Sequence, residues 1–238
     1  MTTPSIVRPG ADRHRTITGL VDEYRSFAEL IAALNDSDWI RETRCIRWQV
    51  RDVAGHVVGQ AIDTVSGTIG SRTPDDQAAA LRSESPTALA AQLQAALTSI
   101  TQLAAVIDDA AWSAPSPMAG VTLGQGIHAL LQDAYVHGDD IRAALGLPFH
   151  PGAGLHASLD FVLGALLRDD TARAEPAIAR VLAIPAEHFT EQTGTAAYDF
   201  LLAATGRRDP APLRLPGERQ HLSVRARSSR SRLRIGEG

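Results

Sequence analysis

An aspartate and a histidine four residues apart, Asp133 and His137, stand in the stretch GIHALLQDAYVHGDDIRAALG, residues 126–146. On a helix, side chains at i and i+4 project side by side, so such a pair can close on one cation, as two histidines do in other helical metal sites. Asp140 falls on the same edge, beside an apolar face made of Ile127, Leu130, Leu131, Ala134, Gly138, Ile141 and Leu145. The spacing is equally that of a solvated Asp–His pair, and on spacing alone both readings stand. His128 projects roughly 180° from His137 at 3.6 residues per turn, which predicts a surface histidine.

The helix that carries these residues has marked ends. Thr122 with Gln125 forms a capping box at its start, and Gly146 followed by Pro148 stops it. Upstream, Ile17, Leu20, Val21, Tyr24, Phe27, Ala28, Ile31 and Leu34 recur at helical steps and predict a first helix, broken by Asn35-Asp36-Ser37-Asp38. The loop from Trp39 to Trp48 carries aromatics that would pack over one end. A second helix is read over residues 49–69, with His56 at the margin of its apolar arc and on one stripe with Gln60 and Asp63. Residues 71–85 read as a polar loop. Ser85-Pro86 then opens a third helix reaching about Asp109, and a Pro/Gly-containing connection over 110–120 leads into the fourth.

Four amphipathic helices predict an all-α chain built on an antiparallel four-helix bundle, residues 1–150. Residues 151–238 read as a smaller, mainly helical C-terminal extension, with helical stretches at 155–167, 176–184 and 195–205, the last closed by Gly206. The segments LRL and HLSVRAR alternate enough for an edge strand, and the Ser/Arg-rich end suggests a mobile terminus.

Composition narrows the function classes. The chain is 44% hydrophobic, 21% charged and 5% aromatic, an ordinary globular balance. No run of about 18 apolar residues exists and the first fifteen residues lack an apolar signal core, so the expected location is the cytoplasm, away from any membrane. Cys45 is the sole cysteine, which excludes an internal disulfide and a thiolate-rich zinc site; a metal must use histidine, carboxylate and water. The net charge of −4 divides unevenly: nine Arg against Asp209, Glu218 and Glu237 give residues 207–238 a charge of +6, leaving −10 on residues 1–206. An acidic body and a tail without interleaved aromatics argue against nucleic acid as a partner.

Two blocks, CIRWQVRDVAGHVVG at 45–59 and DAYVHGDDIRAALG at 133–146, resemble the helix-two and helix-four signatures of the DinB/YfiT-like metalloenzyme superfamily, in its mycothiol-dependent maleylpyruvate isomerase branch. The stretch GTAAYDFLLAATGRR at 194–208 is similar to a Gly-Arg helix end in that family's C-terminal region. The resemblance implies a DinB-like bundle whose metal ligands are His56, Asp133 and His137, with Asp140 as a supporting residue. It implies two cofactors: a divalent metal, zinc first and nickel, cobalt or manganese next, and a low-molecular-weight thiol such as mycothiol. Two positions depart from the family pattern. Arg47 stands where glycine is usual before Trp48, and Asp133 stands where glutamate is usual. An aspartate is one methylene shorter, so it draws the helix closer to an ion, binds through a water, or marks a chain without the metal.

On that resemblance the expected function is a metal- and thiol-dependent isomerase or S-transferase acting on small electrophilic substrates, with a homodimer allowed. The alternative is a non-catalytic ligand-binding bundle with a degenerate site. Arg207 or Arg208 would pair a substrate carboxylate through a bidentate guanidinium, or else serve as an arginine favoured at a helix C-terminus by the macrodipole.

Overall fold

A computed structural model describes residues 9–118, 120–166 and 194–208. The described residues form helices α1 (Pro9–Ala32), α2 (Asp36–Trp39), α3 (Val50–Val65), α4 (Pro74–Ala80), α5 (Pro86–Ala104), α6 (Asp109–Ser113), α7 (Leu123–Ala144), α8 (Ala153–Leu166) and α9 (Gly194–Ala204). No strand occurs among them, so the all-α fold read from the sequence holds. The predicted helix at 176–184 and the Arg-rich tail lie outside the described residues.

The long helices α1, α3, α5 and α7 pack one core. It contains Leu20, Tyr24, Phe27 and Ile31 of α1, Val50, Val53 and Val57 of α3, Leu89 and Leu93 of α5, and Leu131, Ala134 and Ile141 of α7. Each fully buried large aliphatic or aromatic side chain contributes about 1.5–3 kcal/mol. Close approaches at glycines fix the helix directions. A Cβ on Gly19 would meet Leu131, and one on Gly138 would meet Phe27, so α1 and α7 advance together. His56 contacts Asp133 while Arg44, just before α3, contacts Asp139 and Asp140, so α3 runs against α7.

The segment 71–85, predicted as a polar loop, holds α4 instead. Thr73 caps it and Asp76 completes the capping box, with Pro74 in its first turn. Seven residues are too few for an apolar period to register. α4 lies back along α3, with Arg72 on Asp63, Gln77 against Gly59, Ala78 against Gly55 and Arg82 on Asp52. A Cβ on Gly59 would come within 2.9 Å of the Gln77 Cβ, so this docking requires the glycine. By carrying the chain back to the start of α3, α4 sets α5 off beside α3 in the same direction. The bundle therefore contains two parallel pairs that oppose each other.

Other differences follow from local chemistry. The third long helix ends at Ala104 rather than near Asp109, because Asp108 caps α6 by accepting from the Ala111 N–H. In α6, Trp112 is buried on the bare backbone of Gly124, where any Cβ would overlap the indole. Trp39 is buried at the bundle end, as its loop position suggested.

α7 is covered on two sides. Beyond the bundle core, Tyr135 and Val136 join Leu155, Leu159 and Val162 of α8 and Phe200, Leu201 and Ala204 of α9 in a second apolar cluster. His128, predicted at the surface, is half-buried under α8: its Nε2 lies 2.9 Å from the Ala157 carbonyl and its ring meets Phe161 edge-on. Gly206 ends α9 in the left-handed region at φ +75. No described helix is long and apolar enough to cross a membrane.

Candidate metal centre

α3 and α7 face each other through polar side chains at mid-height in the bundle. His56 of α3 places Nε2 3.1 Å from Asp133 Oδ2, and His137 of α7 places Nε2 3.6 Å from Asp133 Oδ1. The two imidazoles meet edge to face with centroids 5.0 Å apart. One ligating atom from each of His56, Asp133 and His137 lies within 4.8 Å of the other two, and all three residues are buried. Trp48 tilts over both rings, at centroid distances of 5.3 Å from His56 and 6.0 Å from His137, and is held by its indole N–H donating to Asp75. The i,i+4 spacing on α7 and the margin position on α3 thus converge on one point.

The imidazole orientations are set from behind. Arg72 pairs with buried Asp63, which burial alone would push up but whose bonds from Arg72 and Gln77 hold it below the usual carboxylate range. Gln77 donates its amide N–H to Asp63 Oδ2 at 2.7 Å, which turns Gln77 Oε1 toward His56. That oxygen, 2.8 Å away, accepts the His56 Nδ1–H. On the other ring, His137 Nδ1 lies 3.1 Å from Asp140 Oδ2. With both Nδ1 atoms donating, both Nε2 lone pairs face the Asp133 carboxylate. Converging acceptors repel unless a cation stands among them.

In the metal-free chain the electrostatics favour a proton in that role. Burial disfavours charge on His56, but the Asp133 charge together with the hydrogen bonds to Asp133 and Gln77 raises the imidazole above its ordinary value. Burial likewise works against ionised Asp133, yet the facing charges of His137 and His56 bring its carboxyl down to about 2. Two imidazoles and a carboxylate are also a zinc-type donor set that leaves coordination positions open. The residues therefore fit a divalent ion by donor chemistry and orientation alike.

Asp140 is fully buried and clamped by two guanidiniums. Arg207 reaches its Oδ2 through Nη2 at 2.7 Å and both oxygens through Nε at 3.0 Å, while Arg44 contacts Oδ1 and pairs with Asp139. Burial opposes its charge, and the Arg207 field holds its carboxyl far below the usual range. Tyr198 of α9 donates to Asp139 at 2.7 Å, tying α9 to the same cluster. Cys45, His137 and Asp140 form a second donor group. The Arg207 guanidinium already supplies a cation there, 3.4 Å from His137 Nδ1 and 3.7 Å from Cys45 Sγ. Cys45 donates its thiol to Asp140 at 3.0 Å, and burial followed by the Asp140 charge pushes it up to about 12. It stays a protonated thiol, without nucleophilic character.

Of the residues singled out in the sequence, His56, Asp133, His137, Asp140 and Arg207 are together. Arg208 stands apart, half-exposed and ion-paired with Asp199 of α9. Sequence reasoning missed Gln77, Asp63, Arg44 and Trp48 as participants. Asp63 shares the His56 stripe, a signal that was present; Gln77 is announced only by the Thr73–Asp76 capping box, which marks a helix start. Arg47 is the third residue of a turn closed by the Trp48 N–H on the Cys45 carbonyl, and its φ of 71 lies in the region that favours glycine. A glycine at this position is what the turn itself would select.

No curated protein and no solved structure matches the chain. A family model described as mycothiol maleylpyruvate isomerase N-terminal domain matches residues 20–142, half of the chain, from mid-α1 almost to the end of α7. That span contains His56, Asp133, His137 and Asp140 with the helices that position them, and the chain belongs to the mycothiol maleylpyruvate isomerase N-terminal domain family.

Proposed function

We propose that this protein is a metal-dependent enzyme that uses a low-molecular-weight thiol, of the mycothiol type, to isomerise or S-conjugate a small electrophilic substrate. The observation that carries the reading is the convergence of His56 Nε2, His137 Nε2 and the Asp133 carboxylate, with both Nδ1 atoms occupied elsewhere. His56, Asp133 and His137 hold the ion in this reading, and a bound divalent ion acidifies a thiol or polarises a carbonyl at an open position. Gln77 and Asp140 keep the two imidazoles in the tautomer that presents Nε2. Trp48 limits water over the rings. Since Cys45 is half-buried, bonded to Asp140 and held as a thiol, the reacting sulfur comes from outside the chain. Arg207, close to His137, supplies positive charge for an arriving substrate carboxylate, whereas Arg208 takes no part. Residues 1–150 form the catalytic unit in this reading, and residues 151–238 an extension that contributes Arg207.

Metal analysis with thiol conjugation tests the proposal. Purified protein reconstituted with Zn2+, Ni2+, Co2+ or Mn2+ is expected to retain about one ion per chain, as one three-ligand site requires. Metal-dependent consumption of mycothiol with an α,β-unsaturated acid is the expected activity. Retention of none of the four ions would transfer the case to a non-catalytic bundle in which protonated His56 and Asp133 form a structural ion pair.

A further inference from the structure

The inward stripe of α1 carries the phenol of Tyr24 in its middle. Leu20, Tyr24, Phe27 and Ile31 line it, and Tyr24 has 0% exposure. Its hydroxyl is buried and has no hydrogen-bond partner among the described residues. A buried hydroxyl without a partner costs about 1–3 kcal/mol, a cost that phenylalanine would avoid while filling the same space. The register between α1 and α7 locates the residue. Gly19 lies against Leu131, and Gly138 lies against Phe27 and Glu23, so Tyr24 falls between these points, level with the α7 segment that bears Asp133 and His137. Burial raises the phenol above its ordinary value and the charge of Asp133 raises it further, so it remains a protonated donor within the field of the site. It is not spent on Asp133, whose oxygens face the two imidazoles.

We propose that Tyr24 is a ligand-binding residue of the His56–Asp133–His137 centre, its hydroxyl donating a hydrogen bond to a carboxylate or carbonyl oxygen of the small molecule held there. This rests on the metal-binding reading above. It gives the centre a neutral donor from a third helix, opposite in character to the acceptors of α3 and α7, and it accounts for a tyrosine in a core position.

The test compares the full chain with its Tyr24→Phe variant, each loaded with Co2+, using acetate as the probe and the visible cobalt bands as the readout. Acetate affinity is expected to fall about tenfold in the variant, the effect of losing one hydrogen bond to a charged group. Co2+ affinity is expected to change less than about threefold, since no donor to the ion is removed. Metal-free Tyr24→Phe is expected to melt at the same temperature or higher, because the substitution deletes a buried hydroxyl without a partner among the described residues. Acetate affinity unchanged within about twofold overturns the inference while leaving the metal reading intact. A metal-free variant melting several degrees lower also overturns it, by showing that the hydroxyl serves the fold. Failure of the wild-type chain to take up Co2+ removes the metal reading and this inference with it.

Discussion

Asp133→Asn separates a metal ligand from a structural ion pair, because it preserves shape and removes charge. In the metal-free protein the carboxyl is brought from 3.8 to about 2 by the facing imidazoles. At about 1.4 kcal/mol per pKa unit, that difference corresponds to a contribution on the order of 2 kcal/mol at neutral pH. A depressed carboxylate stabilises the fold above its unfolded value and loses that contribution as pH falls through the folded one. The melting difference between wild type and variant is thus present at pH 7 and shrinks as pH falls from 4 toward 2. The loss at pH 7 is moderated, since the Asn amide can donate to the His56 Nε2 lone pair that Gln77 leaves exposed. Metal affinity responds more strongly, falling by more than tenfold, as loss of an anionic ligand exceeds the effect of losing a supporting partner. Asp133→Glu does not tighten binding, because the aspartate already reaches both imidazoles and an added methylene in this buried place costs about 1–3 kcal/mol. Competitive titration with Zn2+ and a chromogenic chelator, beside melting of the metal-free forms, measures both quantities. Zn2+ affinity within about twofold of wild type for Asp133→Asn would show that the carboxylate does not face an ion.

Three further outcomes are expected. Cys45 should resist iodoacetamide at pH 8 in the folded protein and react promptly in denaturant, and Cys45→Ser should keep full metal content; rapid labelling in the folded state would contradict the half-buried, Asp140-bonded thiol. Glu23 is packed against Gly154 and raised from 4.5 to about 7 by burial, which outweighs the opposing charge of Arg142, with a smaller push from Asp22. Its protonated form is favoured in the fold, so that stabilisation is complete below pH 4.5 and lost as pH rises through 7. Glu23→Gln should flatten the stability profile between those values and raise the melting temperature at pH 8, which thermal melts across pH will show. Arg47→Gly should stabilise the metal-free chain by about 1 kcal/mol by relieving the left-handed turn residue; denaturant melts showing a loss instead would mean the arginine side chain is itself a structural contact.

What the sequence showed of the site depended on how local each signal was. The α7 caps at Thr122 and Gln125, the i,i+4 pair Asp133 and His137, and the apolar stripes of α1, α3 and α5 are written within single helices, and the structure reproduces them. α4 escaped because a seven-residue helix carries no readable period, and with it went Gln77, whose role exists only through its contacts with Asp63 and His56. His128 was misplaced because a helical wheel treats one helix against one core, whereas α7 is covered by the bundle on one side and by α8 on another.

The same distinction explains why polar residues concentrate on α7. A helix buried on two sides has little solvent-facing surface on which to place charge, so Asp133, His137, Asp139 and Asp140 must be neutralised within the fold. Asp139 and Asp140 are neutralised by Arg44 from the loop before α3, and Asp140 also by Arg207 from the end of α9. Among the described residues Asp133 pairs with no guanidinium and faces the two imidazoles instead. Permanent cations are therefore assigned to the carboxylates that hold α7 in place, while the remaining carboxylate faces groups that can exchange a proton for a metal ion. That division of partners separates the supporting half of this acidic cluster from the half proposed to do chemistry, and it follows from pairwise contacts that no helical wheel contains.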